Sequence, residues 1–153
     1  MIYKINYGGI RSMEKEDIPA VLNLILPFVE QGVLLPRTEE SLLQTYNDYI
    51  VYELDGGLKA CAALHTYNDN QAEIAAVAVD SVCSHMGIGP KLINYMLQKA
   101  KENDIHSVFI LTTQTSDWFE KLGFKISTVE SLPQERKEKW TKERGSKVLR
   151  INF

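Results

Sequence analysis

The stretch Ala75–Lys91, AAVAVDSVCSHMGIGPK, carries the most specific chemistry in this sequence. An apolar strand-like run ends, a loop follows, and Gly87-Ile88-Gly89 opens a helical pattern with Pro90 in its first turn. Glycines let a backbone approach a ligand closely, and the unpaired N–H groups of a helix start attract a pyrophosphate. Proline suits such a place because the first helical positions have no intrahelical acceptor to serve. No GK[ST] follows, so this is not a Walker A loop, and the full dinucleotide fingerprint is missing. A GxG turn that merely caps a helix is the alternative reading. The remaining reactive side chains lead elsewhere. Cys61 and Cys83 form no CxxC and have no His pair nearby, which excludes a structural zinc module and a disulfide scaffold. His65, His85 and His106 are dispersed, with no carboxylate at metal or triad spacing, so no metal is expected.

The charge is unevenly spread. Residues 1–135 hold 10 Lys/Arg against 18 Asp/Glu, whereas residues 136–153 hold 7 against 2. A basic tail suggests nucleic acid first. This one is short, interleaved with Glu138 and Glu143, and runs into the apolar Val148-Leu149-Arg150-Ile151. A local site for a small anion is more economical, with a solvated helix face as its rival. Neither nucleic acid nor a membrane is expected as a partner. The best apolar stretch, Val21–Val29, is too short for a span and is broken by Asn23 and Pro27. The opening MIYKINYGG has no basic-then-apolar signal, so a cytoplasmic location is expected.

These residues need a scaffold, and 153 residues with 44% apolar and 24% charged side chains make one domain over 1–153. Ile10–Met13 reads as a first strand. Glu16–Gln31 repeats apolar residues at helical spacing, with Pro27 expected to kink or break its end. Thr38 is the expected N-cap of a helix through about Asn47, with Glu39 and Glu40 in the first turn. Tyr49–Leu54 and Leu58–Tyr67 form a hairpin about Asp55-Gly56-Gly57. A second turn at Asn68-Asp69-Asn70 leads into Ala72–Val79, apolar enough for a central strand. Pro90–Asn103 is helical, Ser107–Thr112 is a buried strand, and Ser116 caps a short helix closed by Gly123. Phe124–Val129 and Lys147–Phe153 complete a mixed α/β (α+β) sheet, mostly antiparallel and flanked by helices.

With that order of elements the whole chain resembles GNAT-type acyl-CoA N-acyltransferases, whose loop after the fourth strand holds the pyrophosphate of acetyl-CoA. More narrowly, it resembles the acetyltransferase domain of the N-acetylglutamate synthase family, which opens bacterial arginine synthesis. The stretches that carry the likeness are EDIPAVLNLILPFVEQGVLLPR (16–37), DGGLKACAAL (55–64), AEIAAVAV (72–79), FILTTQTSDWFEKLGF (109–124), and SLPQERKEKW with RGSKVL (131–149). Ser84 stands where the superfamily usually has Arg or Gln, and His85 where Gly is common, so backbone amides and the helix dipole would hold the pyrophosphate. Most relatives also carry an N-terminal kinase-like domain that senses arginine. The 153 residues contain none, so arginine control by that route is not expected.

The resemblance implies a role for each residue. Acetyl-CoA would lie against Val77, Ala78 and Val79 and the turn Met86, Gly87, Ile88, Gly89, Pro90 and Lys91. Glu73 would take a proton from the substrate ammonium; its alternative is a strand-end carboxylate facing solvent. Thr112 would serve the leaving thiolate, though threonine is equally a good strand former. Arg37, Arg136 and Arg144 would read two substrate carboxylates with their guanidinium forks, aided by Leu35 and Ser146. The activity implied is acetyl transfer from acetyl-CoA to the α-amine of L-glutamate. Another small amine as acceptor, or a non-catalytic acyl-CoA-binding regulator, are the rivals. Self-association into a homo-oligomer is left open.

Overall fold

Seven strands form one sheet in the order β1-β2-β3-β4-β5-β7-β6 in the computed structural model, which describes residues 9–153. The first eight residues, read above for a signal peptide, lie outside the described residues. The strands are β1 (Ile10–Ser12), β2 (Tyr49–Leu54), β3 (Gly57–Tyr67), β4 (Gln71–Val79), β5 (Ser107–Thr112), β6 (Lys125–Ile126) and β7 (Lys147–Asn152). The helices are α1 (Ile18–Glu30), α2 (Glu39–Thr45), α3 (Ile88–Glu102), α4 (Ser116–Lys121) and α5 (Gln134–Lys137). The pairs β1–β2, β2–β3, β5–β7 and β6–β7 are antiparallel, and β4–β5 is parallel. The mixed, mostly antiparallel sheet read from the sequence is therefore the sheet observed.

Local chemistry explains the ends of these elements. Thr38 accepts from the Ser41 amide at 3.0 Å while Ser41 Oγ accepts from the Thr38 amide at 3.1 Å, a reciprocal cap for α2. Asp55 and Gly56, at φ 53° and 78°, make the tight β2–β3 turn, and Gly57 is already the first residue of β3. Pro27 does not break α1, which continues to Glu30. Both Pro27 and Asn23 are exposed, so water can take the carbonyl that Pro27 leaves without a donor. Thr115, not Ser116, occupies the N-cap of α4. The expected strand over Phe124–Val129 shrinks to Lys125–Ile126 because a 3-10 turn follows at Val129–Ser131.

The chain groups into two compact units, one through Ala63 with Ala76–Ile93, the other Leu64–Ala75 with Asn94–Phe153. The first packs Ile18, Val21, Ile25, Leu42, Tyr49, Val51, Cys61, Ala76 and Ala78 into a dry core. The second has its own cluster of Phe109, Leu132 and Val148, bordered by Tyr67, Leu111 and Val129.

Candidate active site

In the first unit, strand β4 leaves its extended geometry at Ala76, which is buried at φ 55°. A residue with a Cβ is disfavoured there by about 1–2 kcal/mol, so surrounding structure must hold it. Cys61 Sγ donates to the Ala76 carbonyl at 3.2 Å. Burial pushes the Cys61 thiol up to about 12, which keeps the proton on this donor and makes the side chain a poor nucleophile.

After β4, Asp80 accepts from the Val82 amide at 3.0 Å and starts a 3-10 turn over Ser81–Cys83. The Met86 amide donates to Cys83 O at 3.1 Å, and the Lys91 amide to Gly87 O at 3.4 Å, the first bond of α3. Ile88 and Gly89 thus present orphan N–H groups, and Pro90, the third helical residue, forfeits none. Gly87 sits at φ 71°, and a Cβ built on it would meet nothing within 4 Å. That open space is where a phosphate can approach the backbone. Met86 is exposed, and a groove of about 380 Å³ lined by Phe28, Val79, Asp80 and Ser84 lies alongside. Arg37 turns its fork back onto the Leu35 carbonyl at 2.8 Å, with Leu35 itself exposed.

The second unit holds the titratable centre. Glu73, on β4, is buried to 5% exposure, which rules out the solvent-facing alternative. Arg136, presented by α5, donates from Nε to Glu73 Oε1 at 2.9 Å, and Tyr67 Oη donates to the same oxygen at 3.1 Å. Of the residues read from the sequence, the fold brings these two, 63 positions apart, into one ion pair. A half-buried guanidinium facing a buried carboxylate is a costly arrangement to retain for stability alone. Chemically, it sets a carboxylate beside a guanidinium that reaches it through Nε, leaving both Nη groups without an acceptor among the described residues.

Thr112 is buried, and its oxygen serves as acceptor for the turn that it starts. It accepts from the Gln114 and Thr115 amides at 3.3 and 3.0 Å and lies 2.6 Å from Thr115 Oγ1. This bond also takes the Thr115 side chain away from capping α4. Thr112→Val should therefore cost about 1–3 kcal/mol of stability by leaving two amides unmet, and Thr112→Ser should recover most of it. Thermal melts of the two variants check this; equal melting temperatures for Thr112→Val and wild type would refute it. Ser146 is buried, and its carbonyl accepts from Trp140 Nε1 at 3.0 Å. The Arg144 amide lies 3.4 Å from Thr141 Oγ1, two residues before Ser146.

Two participants were not read from the sequence. Tyr67 ends β3, across the Asn68–Asn70 turn from Glu73; the recognised hairpin was the signal that could have found it. Arg150 donates to Gln71 Oε1, Ser107 Oγ and Ser131 O at 2.7, 2.7 and 3.0 Å, and its guanidinium lies 5.2 Å over the Phe109 ring. It ties β4, β5 and the segment leading to Arg136, and an Arg inside the apolar VLRIN strand was its only sign.

The profile of the acetyltransferase (GNAT) family matches residues 18–124. The chain is similar to the amino-acid acetyltransferase of Actinobacillus pleuropneumoniae serotype 5b, with 39% identity over 146 residues, 95% of this chain and 33% of that protein. The amino-acid acetyltransferase of Pseudomonas putida is 36% identical over 150 residues, 97% of this chain and 35% of its own length. The chain thus spans about a third of the length of the curated relatives it matches. Among solved structures, N-acetylglutamate synthase from Neisseria gonorrhoeae, complexed with coenzyme A and N-acetyl-glutamate, superposes with a TM-score of 0.90 at 34% identity, covering 94% of this chain and 34% of that one. Sequence profile, relatives and fold agree, and the chain belongs to the acetyltransferase (GNAT) family.

Proposed function

We propose that this chain transfers the acetyl group of acetyl-CoA to the α-amine of L-glutamate, the opening step of arginine synthesis, in the cytoplasm where acetyl-CoA is available. The observation that carries the reading is the buried Glu73–Arg136 pair, which in this reading serves as base and carboxylate reader in one place. Its support from outside is the likeness to amino-acid acetyltransferases and to a synthase solved with coenzyme A and N-acetyl-glutamate.

In this reading Glu73 removes a proton from the substrate ammonium and leaves the electron pair on nitrogen. That pair forms the new N–C bond to the thioester carbonyl, the C–S bond breaks with its electrons on sulfur, and the second proton that the nitrogen must shed to become an amide passes to the thiolate. Arg136, Arg144 and Arg37, with Leu35 and Ser146, hold the two carboxylates, because a planar fork matches a carboxylate bidentately. The pyrophosphate is held by Met86–Lys91 through backbone amides and the N-terminal dipole of α3. Val77, Ala78 and Val79, on the strand that carries Glu73, offer backbone groups to the acyl arm. Thr112, hydrogen-bonded to Thr115, is the hydroxyl assigned to the thiolate.

A thiol-release assay with acetyl-CoA against a panel of amino acids tests the reading. Glutamate should give the highest kcat/KM. A better acceptor elsewhere in the panel would replace glutamate, and no thiol release with any amine would favour an acyl-CoA-binding regulator. The coenzyme site has its own test. CoA at saturating concentration should raise the melting temperature, since a ligand that binds only the folded state stabilises it by mass action. Gly87→Val should lose that shift, because its Cβ fills the open space and the residue is strained at φ 71°. A folded wild-type chain that shows no shift at millimolar CoA would overturn the assignment.

A further inference from the structure

We propose that Tyr67 is a positioning residue for Glu73, dedicating Oε1 to the protein so that Oε2 is the oxygen that takes the substrate's proton. The inference rests on the reading of Glu73 as the base and goes beyond it by naming the atom and the residue that select it. Both donors to this carboxylate converge on one oxygen, Tyr67 Oη at 3.1 Å and Arg136 Nε at 2.9 Å. No donor among the described residues reaches Oε2. Among the described residues the sealed side-chain polar atom without a partner is Thr113 Oγ1, so Oε2 is not closed off from a ligand. A bidentate pair uses both oxygens, one for each nitrogen of a fork, as Arg11 and Asp17 do at 2.7 and 2.9 Å. Here the fork is turned, and the second lone-pair set is kept clear.

Tyr67 is suited to hold its end. Its ring packs at a 35° tilt against Phe109, with centroids 5.8 Å apart, and so has few ways to move. Burial, with the Glu73 carboxylate second, pushes the phenol above its ordinary range, so it stays a donor wherever the enzyme works. With Oε1 fixed from two directions, the side-chain torsions of Glu73 are fixed as well. In the step proposed, an N–H bond of the substrate ammonium breaks, an O–H bond forms at Oε2, and the electron pair remains on nitrogen. A carboxylate free to rotate would present either oxygen and lose the alignment that makes proton transfer efficient.

Tyr67→Phe in the full chain tests this, because the ring is kept and the donor is removed. Steady-state kinetics with acetyl-CoA and L-glutamate should show kcat lower by roughly 5- to 50-fold, with the acetyl-CoA KM within about twofold of wild type. On the Glu73→Gln background the same substitution should cost nothing further, since the carboxylate it aims is gone. A kcat for Tyr67→Phe within twofold of wild type, beside a slow Glu73→Gln, overturns the proposal alone. Wild-type turnover by Glu73→Gln overturns the base reading and the proposal with it. If Tyr67→Phe melts early, the double variant still decides: a loss on the Glu73→Gln background equal to that on wild type means a merely structural hydroxyl and overturns the proposal.

Discussion

Glu73→Gln is expected to lower kcat by about two to four orders of magnitude near neutral pH while leaving the fold intact. Glutamine keeps the length and shape of the side chain, and its carbonyl oxygen can still accept from Arg136 Nε and Tyr67 Oη. What it removes is the basic oxygen. The substrate amine is almost wholly protonated at neutral pH, so the variant depends on the small unprotonated fraction that arrives from solution. The deficit should therefore shrink as the pH rises toward the amine's own range, in contrast to a variant that merely damages binding. Kinetics from pH 7 to 9.5, with melting temperatures alongside, measure both parts. Unchanged turnover at pH 7, with the carboxylate gone, would return Glu73 to a structural role.

Legibility followed the range of the interaction. The β2–β3 turn could be read because Asp55-Gly56 is a local solution to two positive φ values, and the α2 cap because Thr38 and Ser41 are three residues apart. Strand β4 could be read because a run as apolar as Ala72–Val79 has few other places to go. Features set by distant partners could not. Nothing in the composition of β4 marks Ala76 as left-handed, since the Cys61 thiol that holds its carbonyl lies on a neighbouring segment. Thr115 stands at the N-cap of α4, one residue from where Ser116 suggested, and its hydroxyl is turned to Thr112 instead of the helix. Glu73 could be nominated by likeness to a family, but its exposure, and its meeting with Tyr67 and Arg136, are tertiary facts. The sequence named Glu73 and Arg136 separately; only the fold makes them neighbours.

In the proposed reading that neighbourhood gives Arg136 two duties, and its variants should separate them. Arg136→Ala leaves the buried Glu73 carboxylate with Tyr67 as its remaining partner, and breaking a buried pair on one side costs about 3–5 kcal/mol at full burial. The pair here is 15% and 7% exposed at its side chains, so the lower end applies, and the melting temperature should fall by several degrees. The same variant loses the Nη groups assigned to a substrate carboxylate, so the glutamate kcat/KM should fall by about 10²- to 10³-fold, for roughly 2.7–4 kcal/mol of lost pairing. Arg136→Lys separates the two effects. An ammonium is a point charge that can answer Glu73, so the melting temperature should recover. It has no planar fork to divide between the base and a carboxylate, so the glutamate KM should stay raised by at least tenfold. The acetyl-CoA KM should be nearly constant across all three proteins. Recovery of both quantities by lysine would reduce Arg136 to a counter-ion for Glu73. Kinetics within twofold of wild type for Arg136→Ala would remove it from substrate recognition altogether, and glutamate's carboxylates would then have to be read by Arg37 and Arg144 alone.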